Sequence, residues 1–201
     1  MEIQIAIAKT NKYGAIESGD TLEVIERPGG GISVVMCDGM SATHDAKMIS
    51  AMVVRKVLGL IAEGVRDGAA ARAASDFLYV EKNGKYAVYL NILSADLQTG
   101  TIVLTRNNPT PIFVAQAGQV ECLSGASEAI GQSRKFRPAI TEITLGRGTT
   151  VVMYTDGLAM AGTRNNGLGL DICTTLEAVL DEQDPSAHVI ADSLLSQAVR
   201  L

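Results

Sequence analysis

The sequence predicts an α+β fold: a four-layer α/β/β/α sandwich of two mostly antiparallel sheets, each covered on its outside by helices. Three observations carry this. Apolar residues alternate or run in short blocks early in the chain and again through its middle, as strands require. Helical periodicities occur in pairs, one pair between the strand blocks and one pair at the end. The turns between successive strands are short and rich in glycine, which joins neighbouring strands antiparallel and segregates the helices from them. Two sheets packed face to face would then bury every apolar stripe. A chain of 201 residues supplies one sizeable core.

The elements follow in order. Ile3, Ile5 and Ile7 alternate with polar or small residues, predicting a half-buried strand. Residues 22–26 and 32–37 read as a hairpin closed by the turn Pro28-Gly29-Gly30-Gly31. Ile49, Val53, Val57 and Leu60 recur at helical spacing and predict a helix over 45–63. A second, alanine-packed helix opens at Asp67 or Gly68 and runs to about Leu78. Strands are predicted over 86–95, 101–106, 112–115, 119–123, 139–145 and 149–154, with Gly100, Gly118, Gly146 and Gly148 at the tight turns. Two helices close the chain, the last with Asp184 as N-cap and Pro185 at its first position.

Composition excludes several function classes. Hydrophobic residues make up 47% of the chain and charged residues 19%, which excludes a disordered chain. A net charge of −5 provides no basic footprint for nucleic acid. No apolar run reaches the length of a membrane span, and the start of the chain lacks a basic segment followed by an apolar block. Cys37, Cys122 and Cys173 are far apart, show no CxxC spacing and are joined only by His44 and His188, so a structural zinc site is not expected. Reduced thiols and a cytoplasmic location are the expectation. Cys37, inside an apolar run, reads as core filling.

Chemistry is expected at two acids. VVMCDGMSATHDA delivers Asp38-Gly39 from the end of an apolar strand, and VVMYTDGLAMA delivers Asp156-Gly157 in the same way. Asp-Gly is a common turn pair, and for Asp20 in ESGD the turn reading stands on its own. For Asp38 and Asp156 the strand-end placement predicts that both lie at one sheet edge. No Lys or Arg adjoins either motif in sequence, so a bound cation is the economical way to relieve their repulsion. Oxygen ligands with few histidines select Mg²⁺ or Mn²⁺, and glycine after the aspartate lets the Gly39 carbonyl approach an ion. Two such ions ~4 Å apart suit in-line displacement at phosphorus without a covalent enzyme intermediate. The other acidic reading, a strand ending in the Asp-x-Asp of aspartyl-phosphate hydrolases, has Met40 where the second acid belongs and is set aside.

ESGDTLEV, VVMCDGMSATHDAKMISAMVV, NNPTPIFV, SEAIG and VVMYTDGL fall in the order seen in the PPM (type 2C) metal-dependent protein phosphatases. The chain most resembles their bacterial branch, typified by stage II sporulation protein E, from about Glu17 to the last helix. The resemblance implies that Asp38 bridges two Mn²⁺ or Mg²⁺ ions, that Gly39 lends its carbonyl, that Asp156 completes one ion and that Asp20 acts on the other through water. Asp38 and Asp156 would then be catalytic through ion-activated water. It further implies hydrolysis of phosphoserine or phosphothreonine on a protein, in this branch usually a STAS-domain anti-anti-sigma factor, and it allows a homodimer. A PPM-fold module that binds a partner with little turnover is the alternative.

Two departures from the family pattern set further expectations. Ser41-Ala42-Thr43 replaces the glycine-rich turn that often follows Asp-Gly, and His44 is then either a phosphate contact or a solvated first-turn residue. The family normally closes with a strand opening on a paired acid, whereas residues 186–201 keep a helical pattern to Leu201. The expectation is a single PPM-type domain over residues 1–201 without the C-terminal acidic strand, holding its ions weakly.

Overall fold

The computed structural model describes residues 2–11, 18–39, 44–163, 167–182 and 185–201. Glu17, Met40, the Ser41-Ala42-Thr43 turn, the side chain of His44 and Asp184 lie outside the described residues. Eight strands and five helices are found among the rest: β1 (Thr21–Glu26), β2 (Ile32–Gly39), α1 (His44–Ala62), α2 (Asp67–Lys82), β3 (Val88–Asp96), β4 (Thr101–Asn107), β5 (Ile112–Gln116), β6 (Gln119–Leu123), β7 (Ala139–Thr144), β8 (Thr150–Val152), α3 (Asp156–Ala159), α4 (Ile172–Leu180) and α5 (Ala187–Arg200). The α+β class and the two antiparallel sheets are as the sequence predicts. No helix among the described residues is long and apolar enough to cross a membrane.

The chain divides into two compact units. The larger, Gly19–Pro109 with Gly125–Arg147, holds a five-stranded sheet in the order β1-β2-β3-β4-β7. One face carries α1 and α2. Val35 and Cys37 from β2, Val88, Leu90 and Ile92 from β3, and Ile49, Val53, Val57 and Ile61 from α1 form one buried cluster there. Each such side chain contributes roughly 1.5–3 kcal/mol relative to staying exposed. Ala70, Ala71 and Ala74 are fully buried in the same cluster, the small residues letting α2 pack closely.

A polar tie also crosses this helix-covered face. Arg27, just past β1, donates to Ser33 Oγ (3.1 Å), Ser94 Oγ (3.0 Å), the Val65 carbonyl (3.0 Å) and the Asp67 carboxylate in the first turn of α2. Ser33 and Ser94 are register partners on β2 and β3 and share a 2.7 Å hydrogen bond. One guanidinium therefore joins three elements around a buried carboxylate.

The smaller unit gathers Met1–Ser18, Thr110–Ser124 and Gly148–Leu201. Its sheet has the order β6-β5-β8, and its core joins Phe113 and Tyr154 to Ile172, Leu176 and Val179 of α4 and Ile190 and Leu194 of α5. Asp171 caps α4 by accepting from the Thr174 N–H at 3.0 Å.

Three boundaries differ from the sequence reading. No strand forms over residues 2–11, and Ile7 is 52% exposed, so the early alternation does not continue into a paired ladder. Ser186, not Asp184, caps α5 by accepting from the Val189 N–H, which leaves Pro185 outside the helix. The strand expected over 149–154 shrinks to β8, because β5 offers it partners only from Phe113 to Ala115.

Breaking a buried ion pair strands the surviving charge, at a cost of about 3–5 kcal/mol. Arg27→Ala is therefore expected to lower unfolding stability by about that much in a urea titration, whereas replacing Arg27 and Asp67 together by apolar residues recovers most of the loss.

Candidate metal centre

The β1–β2 hairpin register builds one acidic corner. Thr21 pairs with Cys37, and Asp38 pairs with Tyr89 of β3. Asp20 immediately precedes Thr21, the first residue of β1. Thr21 and Cys37 face α1, so strand alternation turns the Asp38 carboxylate to the opposite face. The Cys37 thiol registers both charges. It is held well above the usual thiol range, first by burial, then by the Asp38 charge, then by the Asp20 charge. Asp38 is only 5% exposed and Asp20 is half-buried.

The first turns of α1 press on both sides of this corner. A Cβ added to Gly39 would lie 2.9 Å from Ala46 Cβ and 2.9 Å from the Ala46 carbonyl oxygen, so glycine is required here by helix packing. Tyr86 donates its hydroxyl to Asp45 Oδ2 (3.1 Å), a bond that raises the Tyr86 pKa. Lys47 Nζ donates to the Asp20 carbonyl (2.7 Å) and to Thr21 Oγ1 (3.1 Å). A cation 27 residues away in sequence is thus delivered to the Asp20 segment by the helix.

Asp156 belongs to the other unit and to a different local structure. It does not end a strand: β8 stops at Val152, and Asp156 begins the four-residue α3, exposed, with Thr155 as N-cap. Its carbonyl accepts from the Met160 N–H at 2.8 Å. Just before it, Tyr154 is buried, stacks on Phe113 (ring centroids 6.0 Å apart, planes at 16°) and has its carbonyl held by the Thr110 hydroxyl at 3.2 Å. Burial, and then the nearby Cys122, push the Tyr154 phenol up to about 12.

Several polar residues of the larger unit escaped the sequence reading. Arg106, buried on β4, donates to the carbonyls of Asn108 (2.8 Å) and Gly125 (2.9 Å), while Ser127 Oγ donates to the Asn108 carbonyl (2.7 Å). These bonds fasten the NNPTP turn to the segment leading into SEAIG. Ile130 of that motif bridges Val88, and the Gly131 N–H donates to Ser75 Oγ at 3.1 Å. Asn91 pairs with Met36 on one side and Arg106 on the other, which puts it on the face of Asp38. Its side-chain amide is 1% exposed and has no protein partner among the described residues. A polar residue inside the apolar block YAVYLNILSA was the signal for it.

Asp20, Asp38 and the Gly39 carbonyl are hard oxygen donors at one corner. Mg²⁺ characteristically takes one or two carboxylates and keeps several waters, so the set fits such an ion in kind. Among the described residues no group of three or more His, Cys, Asp or Glu side chains is arranged to hold a metal.

Residues 28–201 match the stage II sporulation protein E (SpoIIE) family. The chain belongs to that family. The SpoIIE relationship extends to solved structures. The PP2C phosphatase domain of SpoIIE from Bacillus subtilis, with a fragment of its regulatory domain, aligns with a TM-score of 0.81 and 19% identity over 96% of this chain. The chain spans 55% of that protein's length. The serine/threonine phosphatase Stp1 from Staphylococcus aureus aligns with a TM-score of 0.73 and 11% identity, over 100% of this chain and 92% of that one. RsbX, solved in complex with magnesium, gives 0.73 and 15% identity over 93% and 83%. No curated protein sequence matches the chain. At these identities the likeness establishes the fold, that of the PPM serine/threonine phosphatases.

Two measurements test the surroundings of the corner. Gly39→Ala forces Ala46 or β2 to move and is expected to destabilise the protein by about 1–3 kcal/mol in denaturant unfolding, the usual cost of overpacking. Tyr154 should ionise only near pH 12 in an ultraviolet titration. Its folded pKa lies above the ordinary value of 10, so its contribution to stability is complete below pH 10 and is lost as the pH rises towards 12. Tyr154→Phe should remove that part of the alkaline loss.

Proposed function

We propose that this chain is a metal-dependent protein serine/threonine phosphatase. The observation that supports the reading is Asp38, buried at the end of β2 next to the Thr21–Cys37 pair, in a chain of the SpoIIE family. Asp20, Asp38 and the Gly39 carbonyl would hold Mg²⁺ or Mn²⁺, and Asp156 is proposed as a further ion ligand. Bound there, the ions would offer positive charge to a phosphoryl group and acidify a water at neutral pH.

The chain's own residues prepare this chemistry. Asp38 is fixed by strand pairing and shielded from solvent, so its carboxylate needs little reorganisation to bind a cation. Asp156, exposed at the start of α3, is open to an ion or a substrate. Cys37 takes no part as a nucleophile: it is fully buried, and its raised pKa keeps it a thiol. The proposed substrate is a phosphoserine or phosphothreonine protein of the STAS-domain anti-anti-sigma class, met in the cytoplasm. The SpoIIE family membership and the fold shared with RsbX support this choice.

The test is hydrolysis of p-nitrophenyl phosphate with and without Mn²⁺. Asp38→Ala is expected to abolish Mn²⁺-dependent turnover while the protein stays folded, and to raise the melting temperature of the ion-free protein, because one of two crowded carboxylates is gone. Equal turnover by wild type and Asp38→Ala would overturn the mechanism. No turnover by either, with a phosphoprotein still bound, would establish the partner-binding reading instead.

A further inference from the structure

The contacts between α1 and the start of β1 form a single directed chain of hydrogen bonds. Lys47 Nζ can only donate, and the Gly19 carbonyl can only accept. Between them, Thr21 Oγ1 lies 3.1 Å from Lys47 Nζ and 2.8 Å from Ser50 Oγ, and Ser50 Oγ donates to the Gly19 carbonyl. Each hydroxyl has one proton: with Ser50 giving its own to the Gly19 carbonyl, or to the Lys47 carbonyl at 3.1 Å, the proton between Thr21 and Ser50 is that of Thr21. Lys47 closes the ring with its second bond, to the Asp20 carbonyl at 2.7 Å. Thr21 is 7% exposed and Ser50 is fully buried, so water does not compete for these bonds. Cooperative polarisation from the ammonium end strengthens each of them.

The clamp holds the residues on both sides of Asp20 and the Asp20 carbonyl itself, and uses none of its carboxylate oxygens. Lys47 and Ser50 are three positions apart on α1, hence on one helix face, and Ala46 of the same turn abuts Gly39. The first turns of α1 therefore contact the Asp20 segment and Gly39 together.

We infer that Lys47, acting through Thr21 and Ser50, is a positioning residue for the Asp20 arm of the ion site. The inference rests on the phosphatase reading and adds to it the device that preorganises Asp20. Outer groups that orient a metal ligand are typically worth about 10- to 100-fold in ion affinity. The chain predicts three features that general destabilisation does not produce. Thr21→Ser, which keeps the hydroxyl, retains wild-type affinity where Thr21→Val loses it. Lys47→Met and Thr21→Val together weaken binding little more than either alone, since each breaks the same chain. In an Asp20→Asn background, Lys47→Met changes the affinity no further.

The experiment is calorimetric titration of Mn²⁺ into the full chain and these variants, with thermal melts of the ion-free proteins alongside. About a tenfold loss of Mn²⁺ affinity in Lys47→Met and in Thr21→Val, with Thr21→Ser unaffected, is the expected result. If Lys47→Met does not fold, the Thr21→Val and Thr21→Ser pair carries the same test. Wild-type Mn²⁺ affinity in Lys47→Met or Thr21→Val, with only the melt lowered, would overturn the positioning role and leave the phosphatase reading intact. A wild-type chain that takes up no Mn²⁺ would overturn that reading and the positioning role with it.

Discussion

Because β2 is paired to β1 from Ile32 to Cys37 and to β3 from Ile32 to Gly39, Asp38 is held as part of a sheet. The rest of the larger unit depends on that double pairing. It turns Cys37 into the core beneath α1 and Asp38 to the other face. It also brings Gly39 so close to Ala46 that no other residue fits without movement. A one-residue slip in the hairpin would reverse every side chain, burying the carboxylate under the helices and exposing Val35. The apolar cluster under α1 is thus what fixes the acid in place.

The larger unit tolerates an unusual load of buried polar groups on its strands. Ser33 and Ser94 are satisfied by each other and by Arg27. Thr105, Asn91 and Asn107 each retain a buried side-chain polar atom without a protein hydrogen bond among the described residues. Such atoms typically cost 1–3 kcal/mol each. Asn91 and Arg106, register partners, lie on the face that carries the acidic corner, where chemistry, rather than stability, governs residue choice.

From β1 onward the order of the strands and of the longer helices was legible from periodicity, as were the β1–β2 hairpin and the alanine-packed α2, whereas the predicted first strand does not form and the short α3 was not foreseen. What misled was the likeness of VVMCDG to VVMYTDG. Local sequence cannot tell how far a ladder extends. β2 has a partner on each side, so its pairing carries through Asp38. β8 lies at the edge of its three-stranded sheet, and its pairing stops at Val152, four residues before Asp156. Lys47 was hidden for a related reason. It lies far from Asp20 in sequence, and only the packing of α1 against β1 brings the two together. Short-range features such as the α5 cap were nearly right, displaced from Asp184 to Ser186.

The interleaving of the two units along the chain matters on the ribosome. β5 and β6 emerge before β7, yet β7 completes the larger unit while β5 and β6 belong to the smaller. Their edge partner β8 and the helices α4 and α5 that form the rest of their core are translated only afterwards. A growing polypeptide therefore carries the apolar segment IFVA of β5 with an unfilled strand edge until β8 is made, about 35 residues later, a few seconds at about 5–20 residues per second. During that interval the nascent hairpin is a natural target for chaperones and the point at which two neighbouring chains could pair wrongly.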